Sequence, residues 1–146
     1  MPSASKDAYL IVVGMDGSEH SLAALGWAIA EARLRGAGIR VVSAWHYPPV
    51  ASVVGDGVID DSFKNEADLI VAESLRTVSA AGIPATGQVN ESSPAQAILD
   101  AAQKAQLIVV GSRGRSGVSS LLLGSVSTHV AHHAQCPVAI VRSALS

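Results

Sequence analysis

Apolar residues fall in this chain in short, nearly unbroken runs, separated by longer stretches where they recur every three or four positions. Tyr9–Met15 (YLIVVGM), Ile39–Trp45 (IRVVSAW), Leu107–Gly111 (LIVVG) and Pro137–Val141 (PVAIV) are runs of the first kind. Short runs rich in β-branched residues predict strands buried on both faces. Ala85–Asn90 is a weaker run and predicts a further strand, third in chain order. Between the runs the period changes. Ser21–Arg35 carries Leu22, Leu25, Ile29 and Leu34 at helical spacing, after an Asp16-Gly17-Ser18 turn in which Ser18 can act as a cap. Gly36 and Gly38 end that helix. Asp60–Ala81 repeats the pattern with Phe63, Ala67, Ile70, Val71, Leu75 and Val78, and closes at Gly82 and Pro84. Ser92 or Ser93 caps a third helix, with Pro94 in its first turn and an end near Gln103. A fourth helix follows the Ser112–Ser120 loop and ends near Gln135. His46–Gly57, with Pro48, Pro49, Gly55 and Gly57, reads as a loop.

Five strands alternating with four helices predict an α/β fold, an open parallel sheet with helices on both faces. Right-handed crossovers then favour the spatial strand order 3-2-1-4-5, with a reversal of direction between the first and fourth strands. In such sheets ligands bind beyond the carboxyl ends of the strands at that switch point. The two VVG segments, Val12–Gly14 and Val109–Gly111, read as two buried strands of one kind and not as a duplication.

Composition narrows the function classes. The chain has 146 residues, 49% of them hydrophobic and 15% charged, which suits one globular domain with one core. Residues 1–8 are polar and are expected to be a disordered tail preceding a domain at 9–146. They lack the apolar stretch of a signal peptide. A formal net charge of −2 offers no basic field for nucleic acid. No apolar run reaches membrane-spanning length. The single cysteine, Cys136, permits no intrachain disulfide, and a cytoplasmic location is expected.

Candidate chemistry converges at the switch point. Asp16 lies just past the first strand and Gly111 at the end of the fourth, so both face one crevice. The following loop reads Gly111-Ser112-Arg113-Gly114-Arg115-Ser116-Gly117. Its glycines permit tight turns that present N–H groups to an anion. Arg113 and Arg115 add charge-assisted contacts to phosphate oxygens. Gly124-Ser125-Val126-Ser127-Thr128 lies near a helix start or kink, where unpaired N–H groups and hydroxyls favour phosphate. The chain contains neither the G-x-x-x-x-G-K-[ST] loop nor a G-x-G-x-x-G after the first strand, so two common phosphate signatures do not apply.

Gly111-x-x-Gly114, nine residues, then Gly124-Ser125 resembles the nucleotide-binding pattern of the universal stress protein family. The similarity extends over essentially the whole chain. It includes VVGMDGS at the first strand, LLLGSVS at Leu121–Ser127 and CPVAIVR at Cys136–Arg142. The resemblance implies a Rossmann-like fold of the adenine nucleotide alpha hydrolase type and binding of ATP. In that reading Gly14 sits against the nucleotide, Asp16 bonds the ribose or adenine side, and Ala44 contacts adenine through its backbone. Gly111 and Gly114 let the loop approach the triphosphate, and Ser125, Val126 and Ser127 bind phosphates through N–H and hydroxyl groups. Mg²⁺ would bridge the phosphates without a dedicated protein cage. The resemblance also implies a homodimer paired through Val138–Val141.

Other features have plainer readings. His129 and His133 share a helical face but read as a solvated face without metal. Cys136 reads as a buried structural thiol, Trp27 and Trp45 as packing residues, with Trp45 near the presumed adenine side, and Glu19 and His20 as surface residues. Three functions remain to be distinguished: a nucleotide-dependent regulatory protein holding ATP or cyclic AMP, a slow ATP hydrolase or phosphotransferase, and a dimerising module with a vestigial loop.

Overall fold

The strands form where β-branched residues alternate between two buried faces, and that alternation builds the molecule. The computed structural model describes residues 8–46, 61–114 and 123–143. In chain order the elements are β1 (Leu10–Gly14), α1 (Glu19–Arg35), β2 (Gly38–Trp45), α2 (Ser62–Ala80), β3 (Ala85–Glu91), α3 (Pro94–Ala101), β4 (Leu107–Gly111), α4 (Ser125–His133) and β5 (Val138–Val141). All strand pairings are parallel and the spatial order is β3-β2-β1-β4-β5, as the sequence predicts. The N-terminal tail at residues 1–7 and most of the 46–57 loop lie outside the described residues.

Successive strand side chains point to opposite faces. Ile11, Val13, Ile39, Val41, Leu107 and Val109 therefore join one core cluster, with Ala24, Leu25, Ala28 and Ile29 of α1 and Val71 and Val78 of α2. Val12, Val42, Ile108 and Val110 join the other, with Ala97, Ile98 and Ala101 of α3 and Val130 of α4. Helices α1 and α2 thus cover one face, and α3 and α4 cover the other. The crossover changes face between β3 and β4, which leaves a crevice where β1 and β4 diverge.

Element boundaries have local causes. Ser18 caps α1, its Oγ accepting the Ser21 N–H at 3.1 Å, so the helix starts at Glu19 instead of the expected Ser21. Gly36, at φ 64°, donates its N–H to the Ala32 carbonyl and ends α1 in the left-handed region that favours glycine. Of the two candidate caps for α3 the structure uses Ser93, which accepts the Gln96 N–H at 3.3 Å. The α1 core stripe differs from the expected one. Leu25 and Ile29 are buried, but Leu22 and Leu34 are 56% and 83% exposed. Alanines at 24, 28 and 32 hold the buried positions instead, since small side chains let the helix approach the sheet closely. Trp27, expected to pack, is 40% exposed on the same helix.

Candidate functional site

The pairing of β1 with β4 aligns Val13 with Val109, so the segments leaving both strands emerge side by side. After β1 the chain turns through Gly17, at φ 81°. Asp16 shapes that turn, its Oδ1 accepting the Ser18 N–H at 2.9 Å. The other carboxylate oxygen faces the β4 loop. A Cβ added at Gly114 would lie 2.8 Å from Asp16 Oδ2. Asp16 and Gly114, 98 positions apart by numbering, therefore meet across the crevice.

The ends of the glycine-rich segment are fixed by one carbonyl. Ser112 is buried and donates its N–H to the Val141 carbonyl at 2.8 Å. Its own carbonyl accepts the Gly124 N–H at 2.6 Å and faces the Ser127 hydroxyl at 3.0 Å. That hydroxyl also lies 3.1 Å from the Gly124 carbonyl, so its side chain serves the loop closure. Gly124 is the N-cap of α4 and has no side-chain cap bond. A Cβ there would be 3.2 Å from Arg113 Cα. The first turn of α4, Ser125–Ser127, lines the crevice, and the N–H groups of such a turn have no partner within their own helix. Beside it stands Arg113, whose Nε is buried with no hydrogen-bond partner. An unsatisfied buried donor of a cationic group carries a desolvation penalty that an anion would relieve.

Two glycines here answer to packing. A Cβ at Gly111 would come within 2.7 Å of the His20 backbone, so glycine lets β4 meet the start of α1. A Cβ at Gly14 would run into the Ile98 side chain of α3. His20, expected at the surface, is half-buried with an unpartnered Nδ1, because α1 lies this close to Gly111.

These walls enclose a cleft of about 550 Å³. Gly14, Asp16, Ala44, Gly111, Arg113, Gly114, Gly124, Ser125, Val126 and Ser127 all line it, and Ser112 lies beneath as the carbonyl anchor. Arg115 and Gly117 fall outside the described residues. Sequence reasoning missed one wall, formed by Phe63, Glu66, Ala67 and Ile70 of α2, and it missed Pro94 and Ile98 of α3. The available signal was Phe63 itself, an aromatic residue in the first turn of α2 where that helix leaves the switch-point side of β2. Trp45, expected as packing, also lines the cleft. The cleft thus presents an apolar and aromatic wall at β2 and α2, and anion donors at Arg113 and α4.

The remaining candidates lie elsewhere. His129 and His133 stack with ring centroids 4.3 Å apart, and His133 Nδ1 lies 3.0 Å from the His129 carbonyl. No group of three or more potential metal ligands occurs among the described residues. Cys136 is half-buried beside the α3/α4 cluster, and burial pushes its thiol pKa up. No helix among the described residues is long and apolar enough to cross a membrane.

Comparison with known proteins agrees with this architecture. The sequence model of the universal stress protein family matches residues 10–142. A universal stress protein of Thermus aquaticus is 38% identical over 135 residues, covering 90% of this chain and 97% of that protein. A universal stress protein of Mycobacterium tuberculosis is 37% identical over 134 residues, 90% of this chain but 45% of its own length. The chain thus spans about half the length of that relative. Among solved structures, a universal stress protein in complex with cAMP is 31% identical, with a TM-score of 0.71, covering 93% of this chain and 98% of that one.

Proposed function

This chain belongs to the universal stress protein family, and on that premise we propose that its cleft binds ATP and that occupancy of the cleft regulates a cytoplasmic stress-response homodimer. The observation that carries the reading is the meeting of Asp16 with Gly114 beside the buried, unpartnered Nε of Arg113. A carboxylate suits ribose hydroxyls. A guanidinium beside a helix N-terminus suits phosphate. Glycine at 114 leaves room for the loop to approach a ligand.

Gly14, Asp16 and Ala44 would hold the nucleoside end. Arg113, Gly114, Gly124 and the first-turn N–H groups of Ser125, Val126 and Ser127 would form the phosphate end, with Ser112 anchoring them from beneath, and the reading extends to Arg115 and Gly117. Mg²⁺ would neutralise charge on the phosphates, held by their oxygens and water. Slow hydrolysis is the furthest the site goes toward catalysis, since Asp16 already accepts the Ser18 N–H and serves the nucleoside end. Ligand occupancy alters partner binding only if the bound and free conformations differ in affinity for the nucleotide.

Dimerisation is proposed through the free edge of β5. Ile108 donates its N–H to the Pro137 carbonyl and Ser112 to the Val141 carbonyl, so the amides of Val138 and Ile140 face away from β4. An apolar edge of this kind templates pairing with a second strand.

A second reading, cyclic AMP as the ligand, is favoured by the 31%-identical relative in complex with cAMP. One experiment addresses both. Protein purified without added nucleotide is denatured, the released small molecules are identified by mass spectrometry, and melting is followed with added ATP or cAMP. Ligand at a hundredfold excess over Kd stabilises the folded state by about 2.7 kcal/mol, a rise of several degrees. Absence of any released nucleotide, together with an unchanged Tm in both ligands, would reject the reading.

A further inference from the structure

Phe63, Glu66, Ala67 and Ile70 line the cleft from α2 at spacings of three, four and seven, so they form one helical stripe. Two of them tie the stripe to the fold: Ala67 is 2% exposed and Ile70 packs on the α1/α2 core cluster. Phe63 joins neither core cluster. It is 40% exposed, in the first turn of a helix of 19 residues, and is the chain's only phenylalanine. A large aromatic side chain held at a fixed helical position in a cleft wall and 40% exposed offers its surface to a flat partner.

We propose that Phe63 is the platform on which the nucleobase stacks, and thus the residue that determines specificity for a base-bearing ligand over a bare polyphosphate. The inference rests on the reading of the cleft as a nucleotide site and deepens it. The placement of the anion donors gives the ligand its direction. Arg113 and the first turn of α4 lie on the α3/α4 side of the sheet, whereas α2 covers the other face and meets the cleft with Phe63, Ala67 and Ile70. Phosphates are drawn to the first side, which leaves the base against α2. Stacking on an aromatic ring tolerates any base, since each has a π-face. Phe63 therefore sets the demand for a base, and other contacts choose among bases.

The test titrates the full chain and its Phe63→Ala, Phe63→Leu and Phe63→Trp variants with adenosine, ATP and inorganic triphosphate by calorimetry. Urea unfolding checks that each variant folds. Phe63→Ala is expected to weaken adenosine and ATP by about tenfold or more while inorganic triphosphate binds unchanged. Phe63→Trp should retain the wild-type preference. In NMR spectra the adenine H2 and H8 protons should move upfield on binding the wild-type chain and not on binding Phe63→Leu. Adenosine binding by Phe63→Ala at wild-type strength would overturn this inference while leaving the cleft reading intact. An upfield shift that persists in Phe63→Leu would assign the stacking to Trp45 and overturn it equally. A wild-type chain that binds neither adenosine nor ATP would remove both.

Discussion

Gly111, the last residue of β4, and Gly114 in the loop beyond it stand three positions apart, yet substitution there should fail in different ways. A side chain at Gly111 meets the backbone of His20 at 2.7 Å, and backbone at a helix start cannot move aside cheaply. Gly111→Ala is expected to cost about 1–3 kcal/mol of stability, as overpacked sites do, read as a lower urea midpoint. At Gly114 the single near atom among the described residues is Asp16 Oδ2, the end of a side chain that can turn away. Gly114→Glu should leave the urea midpoint nearly unchanged and abolish ATP binding, because it fills the crevice opposite Asp16 and sets a carboxylate where the phosphates would lie. Intact ATP affinity in Gly114→Glu would remove this loop from the site. The sequence marks both glycines, but as two instances of one role. Their difference comes from what lies opposite, and neither His20 nor Asp16 is near them in the chain.

The helices show how much an amphipathic pattern can mislead. Leu22, Leu25, Ile29 and Leu34 suggest a single stripe on α1, yet the buried face runs through Ser21, Ala24, Leu25, Ala28, Ile29 and Ala32. Alanine is too small to dominate a periodicity, although it allows a helix to lie close on a sheet. Leu25→Ala is therefore expected to cost about 2–5 kcal/mol, and Leu34→Ala to stay within about 0.5 kcal/mol, by chemical denaturation. Equal effects would mean that α1 is rotated about its axis. The strands were more legible, because runs such as LIVVG bury both faces and leave no choice of stripe. Element order and capping were legible for the same local reason. The α2 wall of the cleft was not. Phe63, Ala67 and Ile70 fit one helical period, and the period cannot say that its N-terminal turn overhangs a crevice while the rest meets the sheet.

At the scale of the whole molecule, the two sheet edges differ. The β3 edge carries Thr86, Gln88 and Asn90, whereas β5 is VAIV throughout. Edge-to-edge pairing of two copies is therefore expected at β5. Ile140→Pro tests it, because the lost N–H points away from β4 and the internal ladder survives. Sedimentation should show a dimer for the wild-type chain and a monomer for the variant, with Tm still cooperative. A variant that remains dimeric would place the interface elsewhere. The switch point itself was readable from element order alone, since the reversal between β1 and β4 follows from the handedness of crossovers.

The Ser112 carbonyl takes both the Gly124 N–H and the Ser127 hydroxyl, so one oxygen ties the end of β4 to the start of α4. The place of Arg113 beside the first turn of α4 is thereby set before an anion arrives, and little of a ligand's binding energy is diverted to ordering the groups that receive it.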